Sequence, residues 1–278
     1  MLLATVLSLG AAVLHAGWNL VAKRAAGDVY LTLWAQFTMA AAVAAPLMVV
    51  HHLVWGMPWQ GYAWAAVSGT IHLPYVWLLG RAYTVGEFSV SYPIARGAGA
   101  AIAAVLGVVL LADELGALQI VGISVAVAGM VLLARGADGR HVLTALAIAL
   151  TIGAYTIADA KGARATGTAA YVFASFVGSM ASNTAYALAT GRRREMAAVL
   201  RTTWRRSTIT GVASLVTYGM VLIAVRRAPV GYVTALRESS VILAAFAGWR
   251  YLGEGDHQRR ITAAVVVFAG LVVLVVGR

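Results

Sequence analysis

Ser91-Tyr92-Pro93-Ile94-Ala95-Arg96-Gly97-Ala98-Gly99 lies inside an apolar run that begins near Phe88 and continues to Asp113-Glu114. A run of that length reads as a membrane-spanning helix, yet this one carries a proline and an arginine in its interior. A guanidinium near the bilayer middle costs roughly 2.5–3.5 kcal/mol on insertion scales, so it normally faces a partner or a watery cavity. Pro93 lacks an N–H and its ring crowds the carbonyl four residues back, which frees the Ser89 carbonyl and predicts a kink beside the charge. Membrane proteins tolerate broken backbone only where it is packed in protein or lines a wet path. Tyr92 and Arg96, four apart, share one helix face, and that face is expected to look into a central polar cavity. The plainer alternative is an arginine that only joins two helices through a buried ion pair.

The rest of the chain has the same character. Of its 278 residues 61% are hydrophobic and 11% charged, against about 25% charged in soluble domains, and the mean hydropathy is +0.83. The expected class is an all-α integral membrane protein. Cysteine is absent, which excludes disulfides, thiolate catalysis and cysteine-ligated metals. The net charge of +11 sits mainly on arginines between apolar runs, a pattern of membrane orientation and anionic headgroups rather than of nucleic-acid binding. The first run, residues 2–22, has Lys23 and Arg24 after it instead of before it, the wrong polarity for a cleaved signal peptide, so it is kept as a span.

A hydrocarbon core of about 30 Å needs roughly 20 apolar residues per helix. Cutting at charges, prolines and glycines gives ten transmembrane helices: 2–22, 29–50, 61–80, 86–111, 117–134, 142–160, 168–189, 207–225, 230–252 and 261–277. Residues 191–206, with six arginines and Trp204, are expected to form a linker that can lie as a short interfacial helix. Residues 51–60, rich in Trp and Pro and without Lys or Arg, read as a loop that contains His51-His52.

Halfway along, the pattern recurs. Ala128-Gly129-Met130-Val131-Leu132-Leu133 matches Ala269-Gly270-Leu271-Val272-Val273-Leu274 at an offset of 141, Glu114 and Glu254 are 140 apart, and Trp18 to Lys23 parallels Tyr155 to Lys161. This divides the chain into two five-helix repeats, 1–137 and 138–278. An odd number of spans per half inverts the second half relative to the first, the arrangement of alternating-access transporters. Chance similarity between Ala/Val/Gly-rich stretches is the rival reading. With the N-terminus outside, thirteen Lys and Arg fall on inner loops and five on the outer side, so charge bias places both termini outside.

Within the spans, Arg237-Glu238 reads as the opening of the ninth helix, the repeat partner of the helix bearing Arg96. Neighbours on a helix point about 100° apart, which suggests a cross-repeat pair of Arg96 with Glu238; the alternative is interfacial snorkelling. His15, Trp18 and Asn19 fall at i, i+3 and i+4 on one face, and Tyr155 and Asp159 at i, i+4. An imidazole titrates near neutrality and a desolvated carboxyl can hold a proton, so His15, Asp159 and Glu238 are candidates for ion coupling. A packing hydrogen bond for His15 and a solvated helix end for Asp159 are the alternatives. His72, Tyr75, Asn183 and Tyr218 are lesser cavity candidates, for which interhelical hydrogen bonding is the competing role. Trp55, Trp59, Trp64 and Trp204 near span ends read as interfacial anchors. HExxH, P-loop and G-x-S-x-G motifs are all absent.

His15-Ala16-Gly17-Trp18-Asn19, Tyr92-Pro93-Ile94-Ala95-Arg96-Gly97, Tyr155-Thr156-Ile157-Ala158-Asp159 and Leu236-Arg237-Glu238-Ser239-Ser240 followed by Gly253-Glu254 resemble the EamA-like branch of the drug/metabolite transporter superfamily. They are most similar to a subgroup that includes members accompanying phosphonate-utilisation genes. The resemblance spans essentially the whole chain and implies a secondary transporter of the cell membrane, most often an exporter of small metabolites. It implies termini in the cytoplasm, opposite to the charge count. The ninth span departs from the pattern of the fourth by having no proline that matches Pro93.

The expected function is therefore secondary active transport of a small polar, anionic or zwitterionic metabolite. Arg96 would grip an anionic group in the two-pronged way that lysine cannot copy, Glu238 would balance it, and Trp18, Asn19, Tyr92, Tyr155, Arg237, Tyr218 and His72 would contribute to the site. No metal or cofactor is called for; protons or exchange would supply the drive. The expected partners are a solute and membrane lipids, with a homodimer left open and no nucleic acid. The alternatives are a membrane-embedded enzyme acting on lipid or isoprenoid phosphates, and a passive channel.

Overall fold

The computed structural model describes residues 1–23, 27–85, 88–135, 139–166, 170–240, 242–243, 246, 250 and 257–276, and among them every regular element is a helix. In chain order these are α1 (Leu2–Lys23), α2 (Val29–Trp55), α3 (Trp59–Val85), α4 (Phe88–Leu111), α5 (Ala117–Ala134), α6 (Gly139–Thr166), α7 (Tyr171–Ala189), α8 (Arg193–Val225), α9 (Val230–Arg237) and α10 (His257–Val276). In lipid each backbone N–H and C=O must be satisfied within the protein, and a helix does this locally. The stretches Leu2–Val21, Val29–Trp55, Ile94–Leu111, Gly139–Thr166 and Arg193–Val225 are long and apolar enough to cross a membrane. Leu53, Val109 and Ile209 turn outward, whereas Gln36, Arg96, Asp159 and Glu238 are buried. This distribution, apolar outside and polar inside, belongs to a multi-pass membrane protein.

Two expected connections are helical instead. α2 runs on through His51 and His52 to Trp55 and stops at Gly56, which has φ 72°, so the two histidines are not in a loop. Nothing between 51 and 55 breaks a helix, and Gly56-Met57-Pro58 does. The arginine-rich linker is likewise not a separate interfacial helix, because residues 193–210 contain neither Gly nor Pro and α8 continues unbroken for 33 residues, about 50 Å. Its start is pinned by Arg192, which bonds Asp28 at the head of α2 as well as Glu195. Lower down, Arg206 Nη2 donates to the Val21 carbonyl of α1.

The ninth span also departs from expectation. α9 ends at Arg237, Glu238 and Ser239 form a turn, and helical backbone resumes at Ser240. Glu238 N still reaches the Thr234 carbonyl four residues back, but Ser239 N bonds Leu236 O at 3.2 Å and Ile242 N bonds Ser239 O at 3.1 Å, both three residues back. This tightening of the ladder is a recognised mark of a hinge or a strained functional position. Arg237-Glu238 thus stands at an interruption rather than opening a span. α4 continues as helix through Pro93. Gly253 and Glu254 lie outside the described residues.

Helices cross where small residues let backbones meet. A Cβ on Gly129 of α5 would come within 2.9 Å of the Val267 nitrogen on α10, and one on Gly270 of α10 within 2.5 Å of the Ala126 nitrogen on α5. α3 meets α7 the same way at Gly69 and Gly178, and α8 meets α2 at Gly211. α6 lies between α3 and α4, and α1 packs along α8 and α9. Many of the buried polar residues lie on the facing sides of α1, α3, α4, α6, α7, α8 and α9.

Candidate functional site

A cavity of about 40 Å³ lies among α1, α2, α3, α6, α7, α8 and α9. Its wall is largely aromatic: His15, Trp18, Phe37, His72, Tyr75, Tyr155, Phe176 and Tyr218, with Ser175, Ser179, Ser214 and Thr217 as neutral polar groups and, among the described residues, Arg237 as the one guanidinium in the lining. The i, i+3 spacing read from α1 does bring His15 and Trp18 together, with ring centroids 4.7 Å apart and nearly perpendicular. Tyr155 stacks on His72 at 4.3 Å and meets the edge of Tyr75 at 5.3 Å. His72 is oriented from its own helix, since Nδ1 lies 2.9 Å from the Ser68 carbonyl. That bond makes Nδ1 the donor and fixes the ring's attitude to the cavity.

Beside this box is the cross-bundle pair expected from the sequence. Arg96 Nη2 donates to Glu238 Oε1 at 2.7 Å, with the residues 3% and 2% exposed. The break after Arg237 is what separates the neighbours: Glu238 turns toward α4 while Arg237 faces the cavity. Arg237 is as deeply buried as Arg96, at 3%. Among the described residues no carboxylate lies within 4 Å of it; its guanidinium carbon stands 6.0 Å from the centroid of the Tyr218 ring. Among the described residues, Arg237 Nε, Arg96 Nε and Nη1, Trp18 Nε1 and His15 Nε2 are buried without a hydrogen-bond partner, as is the acceptor Glu238 Oε2. Unsatisfied groups cost free energy, so clustered ones mark a place that a guest or ordered water completes.

Asp159 has no exposed surface. It accepts from Tyr171 Oη at 2.8 Å and from Tyr218 Oη, so it is held by two phenols inside the bundle rather than solvated at a helix end. Tyr218 connects it to the cavity, with its hydroxyl on Asp159 and its ring beneath Arg237. Tyr92 stands behind His15, ring centroids 6.3 Å apart, and its hydroxyl pairs with Ser240 Oγ at 3.2 Å across the break in the ninth span. Asn19 donates to the His15 carbonyl one turn back and is not in the cavity lining, and Asn183 donates to Ser179 in the same manner. The side chain of Pro93 is outside the described residues.

Sequence reasoning missed Phe37, Phe176 and Tyr171. The two phenylalanines sit in apolar stretches that give no polar signal, and Tyr171 opens α7 where an aromatic reads as an interfacial anchor. It also missed Asp113, for which Glu114 was the more visible neighbour. Asp113 Oδ1 pairs with Arg164 Nη1 at 2.9 Å, and its Oδ2 accepts from Val230 N at 2.8 Å at the start of α9. Arg164 Nε in turn reaches the Val225 carbonyl that ends α8. One aspartate therefore ties α4, α6, α8 and α9 together at a single end of the bundle, while Glu114 is exposed.

Residues 139–276 match the model of the EamA-like transporter family. No curated protein sequence matches the chain. A crystal structure of a protein superposes on it with a TM-score of 0.72 over 98% of this chain and 97% of the other, at 17% identity. That likeness bears on the fold alone.

Proposed function

We propose, from the premise that residues 139–276 form an EamA-like transporter family domain, that this membrane transporter of small solutes works by secondary active transport. It carries a small polar, anionic or zwitterionic metabolite by alternating access between two inverted five-helix repeats, 1–137 and 138–278. The packing supports the division, because contacts come in mates: α3–α7 with α8–α2, α3–α6 with α8–α1, and α4–α6 with α9–α1, while α5–α10 maps onto itself. Gly69 and Gly211, which make the close approaches in the first of these mates, occupy corresponding places in the two halves. The cell membrane and an export direction follow from the resemblance alone, as does the phosphonate-associated subgroup.

The observation that carries the reading is Arg237. A buried guanidinium with no carboxylate beside it is unstable by several kcal/mol relative to a compensated one, so the fold maintains a place for an anion that is not its own. A carboxylate or phosphonate would take Arg237 and Trp18 Nε1 as donors, with the free Oε2 of Glu238 available to an ammonium group. Arg96, held by Glu238, then supports the site from behind. His15, Asp159 and Glu238 are the groups through which protons would be coupled.

Arg237→Lys tests this. In proteoliposomes the variant is expected to incorporate normally and to lose at least about tenfold in saturable counterflow, because an ammonium cannot present the guanidinium fork. Undiminished counterflow would remove the assignment, and flux without saturation would favour a channel.

A further inference from the structure

We infer a second site, outside the central cavity, for the phosphate of an anionic phospholipid, in an open pocket of about 550 Å³ between the start of α3 and the ends of α4 and α6. One wall is apolar and faces outward: Val109 is 70% exposed and Leu110 49%. The opposite wall carries Lys161 and Arg164, three apart on α6 and so on one face, and Trp64 stands under the lysine with Nζ 5.4 Å from its ring centroid. Apolar surface for an acyl chain, two cations and a tryptophan at a helix end describe the boundary between hydrocarbon and headgroups. Basic pockets between helices at that level are where anionic headgroups are recognised.

The donor inventory fits a phosphate. Lys161 has no carboxylate within 4 Å among the described residues and no hydrogen-bond acceptor there. Arg164 gives Nη1 to Asp113 and Nε to the Val225 carbonyl, which leaves Nη2 without a partner among the described residues on a side chain that is 30% exposed. Among the described residues, Nζ of Lys161 and Nη2 of Arg164 are thus unpaired donors lining one pocket. A phosphodiester placed there neutralises Lys161 and adds to the Arg164 contacts without displacing Asp113. Because Arg164 also holds the ends of α4, α8 and α9 through Asp113 and Val225, the lipid steadies that end of the bundle.

The full-length chain in neutral detergent provides the test, read by thermal unfolding with added phosphatidylglycerol, phosphatidylcholine or glycerol 3-phosphate. Phosphatidylglycerol is expected to raise the midpoint by about 5 °C or more at saturation, and the other two by much less. Lys161→Gln should lose at least half of that increment, Lys161→Arg should keep it, and Arg81→Gln at the other end of the bundle should not alter it. Native mass spectrometry of the unsubstituted chain gives a reading that needs no variant: phosphatidylglycerol adducts should outnumber phosphatidylcholine adducts at equal concentrations. Equal effects of the two lipids, an equal effect of glycerol 3-phosphate, or a full increment in Lys161→Gln would each overturn the site.

Discussion

Arg96 and Arg237 are alike in residue type and depth, both 3% exposed, and unlike in company. Arg96 belongs to a helix that continues through Pro93 and is bonded to Glu238; Arg237 ends a helix that stops without any proline and, among the described residues, lies over the face of Tyr218 with no carboxylate within 4 Å. Neighbouring residues of one regular helix diverge by about 100°. The turn at Glu238-Ser239 lets this pair part further, sending the carboxylate to α4 and leaving its neighbour at the cavity. One interruption therefore creates both a compensated and an uncompensated cation from two similar arginines. The difference separates a guanidinium that maintains the bundle from one that is free to recognise something.

The largest expected effect tests that separation directly. Glu238→Gln should destabilise the protein by about 3–5 kcal/mol, because Arg96 would stay buried without a counter-charge. Arg237→Gln should change stability by less than about 1 kcal/mol, or raise it, since it removes a charge that has no partner. Thermal unfolding of the two variants in detergent decides the matter, and equal losses would erase the distinction. Tyr218→Phe comes next, at about 1–3 kcal/mol, for it takes one of two hydroxyls from a fully buried carboxylate and leaves the ring under Arg237. Smaller than that of Tyr218→Phe is the effect of Tyr92→Phe, at about 0.5–1.5 kcal/mol, because the Ser240 contact across the break is a long one. A greater loss from Tyr92→Phe than from Tyr218→Phe would mean that the first half, not the second, holds the more heavily invested polar network.

The helical membrane architecture was legible because lipid leaves the backbone few options, and lengths of apolar sequence translate into helices. Arg96 and Glu238 were legible because a charge inside such a run needs a counterpart and few carboxylates are available. The interruption of the ninth span was not. It has no proline, and the shift from bonds four residues back to bonds three back at Ser239 and Ile242 leaves no trace in residue type. Helix ends were misjudged where loops were inferred from charge or aromatic content, as at His51-His52 and residues 193–206, since only Gly and Pro reliably stop a helix. Asp113 escaped notice because its role is to join distant ends, which depends on packing that no local pattern encodes.

The central space, about 40 Å³, has room for about three water molecules at roughly 10–15 Å³ each. No metabolite of the proposed kind enters without the surrounding rings moving apart. On the proposed transport reading, the packing described here is a closed form, and a solute would meet Arg237 only in a wider arrangement. Its apparent affinity would then be the intrinsic one reduced by the fraction of molecules in that arrangement. A substitution that props the rings open, with no contact of its own to the solute, would for that reason strengthen binding.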